Sequence, residues 1–404
     1  MKRIFAGADL YLPADRYNTD KWPVIACDQY TSQPEKWQEM ERFVGESPST
    51  LRLILPEVYL GEAAQRVPRI HEAMDKYLRD SVLVPGIRGG LVLTERQCTS
   101  GCRLGLVMTV DLEAYDYSPR SKSPIRPTEG TVVERLPPRL AVRRGAVLEA
   151  SHILLLCDDP ARSVIEPVYA GRSELRPLYD LDLMEGGGRL RGWAVEGDAC
   201  EAVFRSLDAL AERTAKDGIV FAAGDGNHSL ATAKASWEEI KRGLSEEEMR
   251  VHPARFASVE LINIYDEALV FEPIHRVVFG KNMGEVLDIL SPARPEETDG
   301  MTDCILVSAE KDLKLKFRAP LHALPVGTVQ KCLDGRGVRD IDYVHGEDAV
   351  RALAGRGNTG ILLPAMDKAL LFPAVEKDGA LPRKTFSMGE AFEKRYYMEV
   401  RRIL

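Results

Sequence analysis

The chain has 404 residues, 45% of them hydrophobic, so it can bury a large core, and its length allows about two to three domains. A net charge of −8 and an isoelectric point near 5.6 argue against nucleic acid or an anionic membrane as the main partner. No run of roughly 18 apolar residues occurs, the opening MKRIFAGADLYLPADRYN lacks the apolar centre of a signal peptide, and seven scattered cysteines suggest reduced thiols; a cytoplasmic protein is expected.

Residues 26–35, with Cys27, Asp28 and Gln29, follow an apolar stretch and precede a short helix for which Thr31 or Ser32 is the expected N-cap. Residues 61–80 suit a helix that Pro68 would kink unless it lies in the first turn. Residues 89–112 read as a hairpin turning at Thr99-Ser100-Gly101, because Leu104, Leu106, Met108, Val110 and Leu112 alternate with smaller or more polar neighbours. Cys98 and Cys102 are four apart, but no second Cys or His pair follows at ligand spacing, so zinc is not expected.

Residues 118–139 read as a charged loop, with five prolines excluding long regular elements. Its part from Arg126 to Arg135, including Thr128, Glu129 and Thr131, is either a solvated charged loop or a loop facing a site. Residues 152–157 read as a buried strand, and Gly186-Gly187-Gly188 as an exposed turn. Residues 199–216 show Val203, Phe204, Leu207, Leu210 and Thr214 on one helical face, with Asp198 as N-cap. Further strands are expected over 257–264 and 304–308. Strands mixed with helices give an α/β or α+β chain with mixed sheets and flanking helices.

The most informative segment runs from Val220 to Lys234. An apolar strand ends in Gly224-Asp225-Gly226, and Leu230, Ala233, Trp237 and Ile240 then recur at helical spacing. Such a junction aims backbone N–H groups and the positive end of a helix at one point, where an anion binds favourably. Gly224 and Gly226 would let the backbone approach that anion. Asp225 adds a carboxylate for a metal or a proton, and His228 an imidazole near its working pKa. An Asp or Asn ahead of a helix is also an ordinary cap. Capping needs one side chain, however, and here Asp225, Asn227, His228 and Ser229 lie within five positions. Two later segments are ambiguous in the same way: 381–389, where Arg383 and Lys384 form a basic turn or an anion site, and 273–276, where His275 is either functional or a satisfied core histidine.

The order of five segments (26–35, 128–131, 224–234, 272–277 and 381–397) resembles a bacterial and archaeal family filed as domain of unknown function 1015, which implies a composite site over nearly the whole chain. The turn Asp225-Gly226-Asn227-His228-Ser229 is similar to the D-G-H-H-R turn of the ParB/sulfiredoxin superfamily, which includes archaeal free-serine kinases. That likeness implies a strand–turn–helix site holding nucleotide phosphates, and genes of the first family often lie beside serine-biosynthesis genes. Asn227 stands where the superfamily has a His, and Ser229 where an Arg would clamp a phosphate bidentately. Either Arg126, Arg135, Arg139, Arg383 or Lys384 supplies that cation from elsewhere, or the phosphate affinity is lower.

The resulting expectation is a phosphotransferase moving a phosphoryl group between ATP or ADP and a small hydroxylated metabolite, with L-serine or O-phosphoserine leading. Phosphoryl transfer needs positioning and charge stabilisation more than covalent chemistry. Glu129, Asp225 and His228 are the catalytic candidates, with Asp225 also holding Mg²⁺. Gly224, Gly226, Asn227, Ser229, Thr232, Arg126, Arg139 and Lys384 are expected to bind the nucleotide. Regions 1–140, carrying the Asp28 and Glu129 loops, 141–280, carrying the phosphate turn, and 281–404 would close on one site, in a possible homodimer. A phosphatase on the same substrate, or a non-catalytic nucleotide-gated binding protein, are the alternatives.

Overall fold

A computed structural model describes residues 3–214, 218–355 and 357–404. They fall into two compact units, one of Met1–Pro127, Thr131–Leu269 and Glu390–Leu404, the other of Thr128–Gly130 and Val270–Gly389. Both units are assembled from separated stretches of chain, where the sequence reading drew the contiguous regions 1–140, 141–280 and 281–404.

The first unit is built on a mixed sheet. Strands Ile125–Pro127, Phe221–Asp225, Leu154–Cys157, Phe256–Asn263, Gly101–Asp111 and Leu83–Cys98 lie side by side in that order, and the sheet continues through Ala8–Pro13 and Val400–Arg402 to Leu148–Ala150. Phe221–Asp225 runs parallel to Ile125–Pro127 and antiparallel to Leu154–Cys157, which itself runs parallel to Phe256–Asn263. The expected hairpin is present, with Cys98 opposite Gly101 across Thr99-Ser100. Its alternation works on both faces, because Leu91, Leu93, Leu106 and Met108 enter one core while Val92 and Val107 enter another. Helix Gly197–Thr214 packs Val203, Phe204, Leu207 and Leu210 into the first of these cores. It starts one residue before Asp198, which therefore sits in the first turn, and its expected extension to Lys216 lies outside the described residues.

Three local readings need correction. Pro137 and Pro138 do not exclude a helix; they occupy the first turn of Leu136–Arg143, where an N–H has no intrahelical partner to lose. That helix packs Leu136 and Leu140 on Ala231. The helix Pro34–Val44 is preceded by Gln33, with no side-chain cap, so neither Thr31 nor Ser32 caps it. Gly187 is buried rather than exposed: a Cβ there would lie 2.6 Å from the Tyr396 hydroxyl, so the middle position of that turn closes over an aromatic side chain. Pro68 lies beyond the first turn of Ala63–Arg79, within the helix.

The second unit holds an antiparallel sheet in the order Pro295–Glu297, Asp312–Phe317, Cys304–Val307, Thr359–Leu362, Phe271–Val278, Ile341–His345, with Phe386–Met388 paired to the start of Phe271–Val278. Val277, Val307, Val344, Val350, Ala354 and Leu362 form a core beneath it. No helix among the described residues is long and apolar enough to cross a membrane.

Candidate active site of the first unit

Strand Phe221–Asp225 enters the site through three fully buried residues, Phe221, Ala222 and Ala223. Ala223 pairs with Leu155 and Asp225 with Leu154, so Gly224 is the extra residue of a bulge that turns the strand end. Gly226 follows with φ 70° and ψ 25°, a left-handed conformation. A Cβ there would also approach the Cα of Ile153 to 2.9 Å. Conformation and packing both require glycine at this position. Helix Asn227–Ile240 begins immediately after it, with no side-chain hydrogen bond capping its start. Asp225 does not act as that cap, because its Oδ1 accepts the N–H of Gly226, ahead of the helix, at 2.9 Å. Among the described residues, no side chain therefore takes up the first-turn amides of this helix.

The turn gathers partners from distant chain. Asp225 Oδ2 lies 3.5 Å from Nζ of Lys394, with both side chains largely buried. His228 Nε2 accepts the backbone N–H of Val132 at 3.3 Å, which ties the turn to the segment after Thr131. The Thr232 hydroxyl donates to the His228 carbonyl at 2.7 Å, and the Asn227 Oδ1 is buried without a hydrogen-bond partner among the described residues. Ser229 Oγ lies 3.4 Å from Nε2 of His152.

His152, read from sequence only as the start of a strand, is at the centre of a polar cluster. Its Nε2 is 3.5 Å from Asp28 Oδ2, and its Nδ1 is 2.7 Å from the Tyr397 hydroxyl. That hydroxyl accepts the Cys27 N–H at 3.1 Å, and Gln29 Nε2 donates to Asp28 Oδ1 at 2.9 Å. Burial disfavours the imidazolium, but the Asp28 carboxylate outweighs it, with Asp225 and Glu57 adding, so the His152 pKa is raised. Burial likewise opposes the Asp28 charge; His152, Gln29 and Lys394 outweigh it and hold that carboxyl well below the usual range. Each group thus favours the charged form of the other.

Beside this cluster lies a cavity of about 130 Å³. Ser229, Thr232, His152, Tyr397, Arg139 and Glu57 form its polar side, and Leu53, Leu55, Leu60, Met74 and Leu148 its apolar side. The guanidinium of Arg139 pairs with Glu57, and that of Arg143 with Glu149 at 2.7 Å. Ser229, Thr232 and Arg139, all expected to bind ligand, therefore line one cavity. His152, Tyr397 and Lys394 carried no local signal. Tyr397 and Lys394 fall within the closing segment of the family resemblance, and that order of segments was the only pointer to them.

The remaining candidates are placed as follows. Arg126 is buried on the strand beside Phe221–Asp225, opposite Ala222, and its Nε donates to the Ser123 carbonyl at 2.7 Å. Glu129 and Lys384 belong to the second unit, where Glu129 Oε1 accepts the Lys384 N–H at 3.1 Å and Glu129 bridges to Leu381. The same basic turn is held from beneath by Arg276, whose buried guanidinium donates to the Lys384 carbonyl at 2.9 Å and whose pKa burial lowers to about 10. A resident Mg²⁺ fits this site poorly. Asp225 is the sole acid of the turn, one of its oxygens receives an amide, and the other already faces an ammonium. Cys98 and Cys102 belong to no group of potential metal ligands among the described residues.

Fold and site together define a mixed α/β protein that presents a strand–glycine–helix turn beside a buried imidazole paired with a half-buried acid. The chain belongs to the family described as protein of unknown function (DUF1015), whose profile matches residues 12–334. No curated protein sequence matches it. Among solved structures it is similar to a free serine kinase in complex with AMP, at 14% identity and TM-score 0.38, covering 72% of this chain and 90% of that one. A conserved hypothetical protein from Pyrococcus furiosus matches at 13% identity and TM-score 0.36, covering 73% and 95%. SbnI from Staphylococcus aureus, truncated at its C-terminus, matches at 11% identity and TM-score 0.38, covering 70% and 83%. Likenesses this remote carry no chemistry across, so function has to be argued from the site.

Proposed function

We propose that this protein is a phosphotransferase that moves a phosphoryl group between a nucleotide and a small hydroxylated metabolite, with L-serine and O-phosphoserine as the leading pair. The observation that carries the reading is the start of helix Asn227–Ile240, uncapped by any side chain among the described residues and reached through the left-handed Gly226. Its first-turn amides and dipole favour phosphate oxygens at that point. Lys394, 3.5 Å from Asp225, is the cation that replaces the arginine expected at Ser229. Asp225 orients that ammonium and the Gly226 amide. Ser229 and Thr232 extend from the phosphate end into the cavity, where Glu57 and Arg139 offer one charge of each sign to an amino-acid zwitterion.

Mg²⁺ enters this scheme with the nucleotide, as part of the substrate, because the phosphate oxygens supply most of its ligands. The sequence assigned the acceptor's base to Glu129; the first unit offers another group for that role, taken up below.

Thermal unfolding with and without Mg–ADP tests the cradle. A ligand bound only by the folded state stabilises it by RT ln(1 + [L]/Kd), about 2.7 kcal/mol at a hundredfold excess over Kd. A clear rise in Tm with Mg–ADP, absent with Mg²⁺ alone, is expected. No rise at millimolar nucleotide removes the nucleotide from the account.

A further inference from the structure

Four chain segments far apart in sequence converge on His152. Asp28 comes from the loop before helix Pro34–Val44, Ser229 from the first turn of Asn227–Ile240, and Tyr397 from the stretch before Val400–Arg402; His152 itself precedes strand Leu154–Cys157. A histidine kept only for packing needs one partner per nitrogen. Among the described residues Nδ1 has a single partner, Tyr397, while Nε2 is shared between Asp28 and Ser229 at 3.5 and 3.4 Å, on the wall of the cavity. Both Nε2 distances are long for a hydrogen bond, which leaves that nitrogen able to form a better one with a third group. The arrangement differs from a serine-nucleophile triad, in which the acid and the serine take opposite nitrogens of the ring.

We propose that His152 is the acid–base residue of the site, with Nε2 exchanging a proton with the hydroxyl of a metabolite bound in the cavity, and with Asp28 and Tyr397 as its positioning residues. This rests on the phosphotransfer reading above. In the transfer from a nucleoside triphosphate, the acceptor O–H bond breaks and its proton passes to Nε2. The acceptor oxygen forms the new bond to the terminal phosphorus. The bridging P–O bond breaks, and its electron pair leaves with the nucleoside diphosphate. The imidazolium formed is stabilised by Asp28. In the reverse direction the same imidazolium returns the proton to the departing alkoxide. Tyr397 fixes the ring, because its hydroxyl is itself held by the Cys27 amide.

Charged and titratable groups facing His152 are Asp28, Asp225, Glu57 and Tyr397, with Lys394 and Arg139 beside them. Asp28 is the strongest of those that favour the protonated ring. Removing its charge therefore moves the titration of His152 to lower pH.

The experiment measures phosphoryl transfer between Mg–ATP and L-serine by the full chain across roughly pH 5.5 to 9, a range that spans the titration of a perturbed histidine. His152→Gln is expected to lose at least about a hundredfold in kcat, the usual minimum for a general base, while keeping the nucleotide-induced rise in Tm. Asp28→Asn is expected to shift the acidic limb of the pH–rate profile to lower pH. A His152→Gln protein that keeps near-normal kcat overturns the assignment and leaves the phosphotransfer reading standing. An unmoved acidic limb in Asp28→Asn overturns it even where His152→Gln fails to fold. A wild-type protein that binds nucleotide but transfers no phosphoryl group overturns the phosphotransfer reading and this assignment together.

Discussion

Lys394 places its ammonium 3.5 Å from the Asp225 carboxylate, so a residue near the end of the chain completes a turn encoded some 170 positions earlier. In the proposed phosphate site the turn lacks an arginine of its own, and this lysine would supply the missing charge from the returning segment. A lysine is a point charge without the planar fork of arginine, so it neutralises a phosphate without fixing its orientation. Orientation then falls to the helix-start amides.

Lys394→Met should weaken Mg–ADP binding by roughly tenfold, the equivalent of about 1.4 kcal/mol. The apo protein should also lose some stability, because Asp225 is left partly buried without its cation. Lys394→Arg should restore much of the affinity. Isothermal titration of the three proteins checks this, and equal affinities would reduce Lys394 to a structural ion pair.

Gly226→Ala should destabilise the apo protein by about 1–2 kcal/mol from the left-handed conformation alone. The 2.9 Å approach to Ile153 Cα adds to that, since backbone yields little. A larger residue such as valine should prevent the turn from forming, so bulk at this position cannot separate ligand binding from folding. Denaturant unfolding of Gly226→Ala measures the cost. An unchanged midpoint would show that the turn relaxes without the left-handed residue.

The Asp28–His152 pair should make stability depend on pH in a defined window. The His152 pKa is raised, so its contribution is complete below the ordinary value of 6.5 and is lost as pH rises through the folded value. The Asp28 pKa is lowered, so its contribution is present above the ordinary 3.8 and is lost as pH falls through its folded value. Stability lost in Asp28→Asn should therefore be greatest between roughly pH 4 and 6.5 and smaller at higher pH. A difference between wild type and Asp28→Asn that stays flat from pH 5 to about 9 would mean that the two groups are not coupled.

Asp225→Asn keeps the shape of the side chain and removes its charge. Turnover should fall by roughly a hundredfold, because misplacing the Lys394 ammonium weakens electrostatic stabilisation of the transferring group. Steady-state kinetics decides it, with near-normal kcat placing the chemistry elsewhere.

Much of the architecture was legible because it is local. The hairpin of Leu83–Cys98 and Gly101–Asp111 announced itself through the alternation from Leu104 to Leu112 after the turn at Thr99-Ser100-Gly101, and helix Asn227–Ile240 through apolar spacing. Helix Leu136–Arg143 was hidden because its two prolines were weighed as helix breakers rather than as first-turn residues. The turn at 224–229 was readable as a dense polar junction between strand and helix. Its partners were not, since His152 sits at the edge of an apolar run and reads as core, while Tyr397 and Lys394 are ordinary residues until the fold returns them. Pairing between distant segments leaves no mark in periodicity or spacing.

Phosphoryl exchange tests the central claim most directly. Incubated with O-phospho-L-serine and Mg–ADP, the protein should produce L-serine and ATP in equal amounts, with both products absent when nucleotide is omitted. Release of inorganic phosphate without nucleotide, or no change in O-phosphoserine with any nucleotide, would contradict the account.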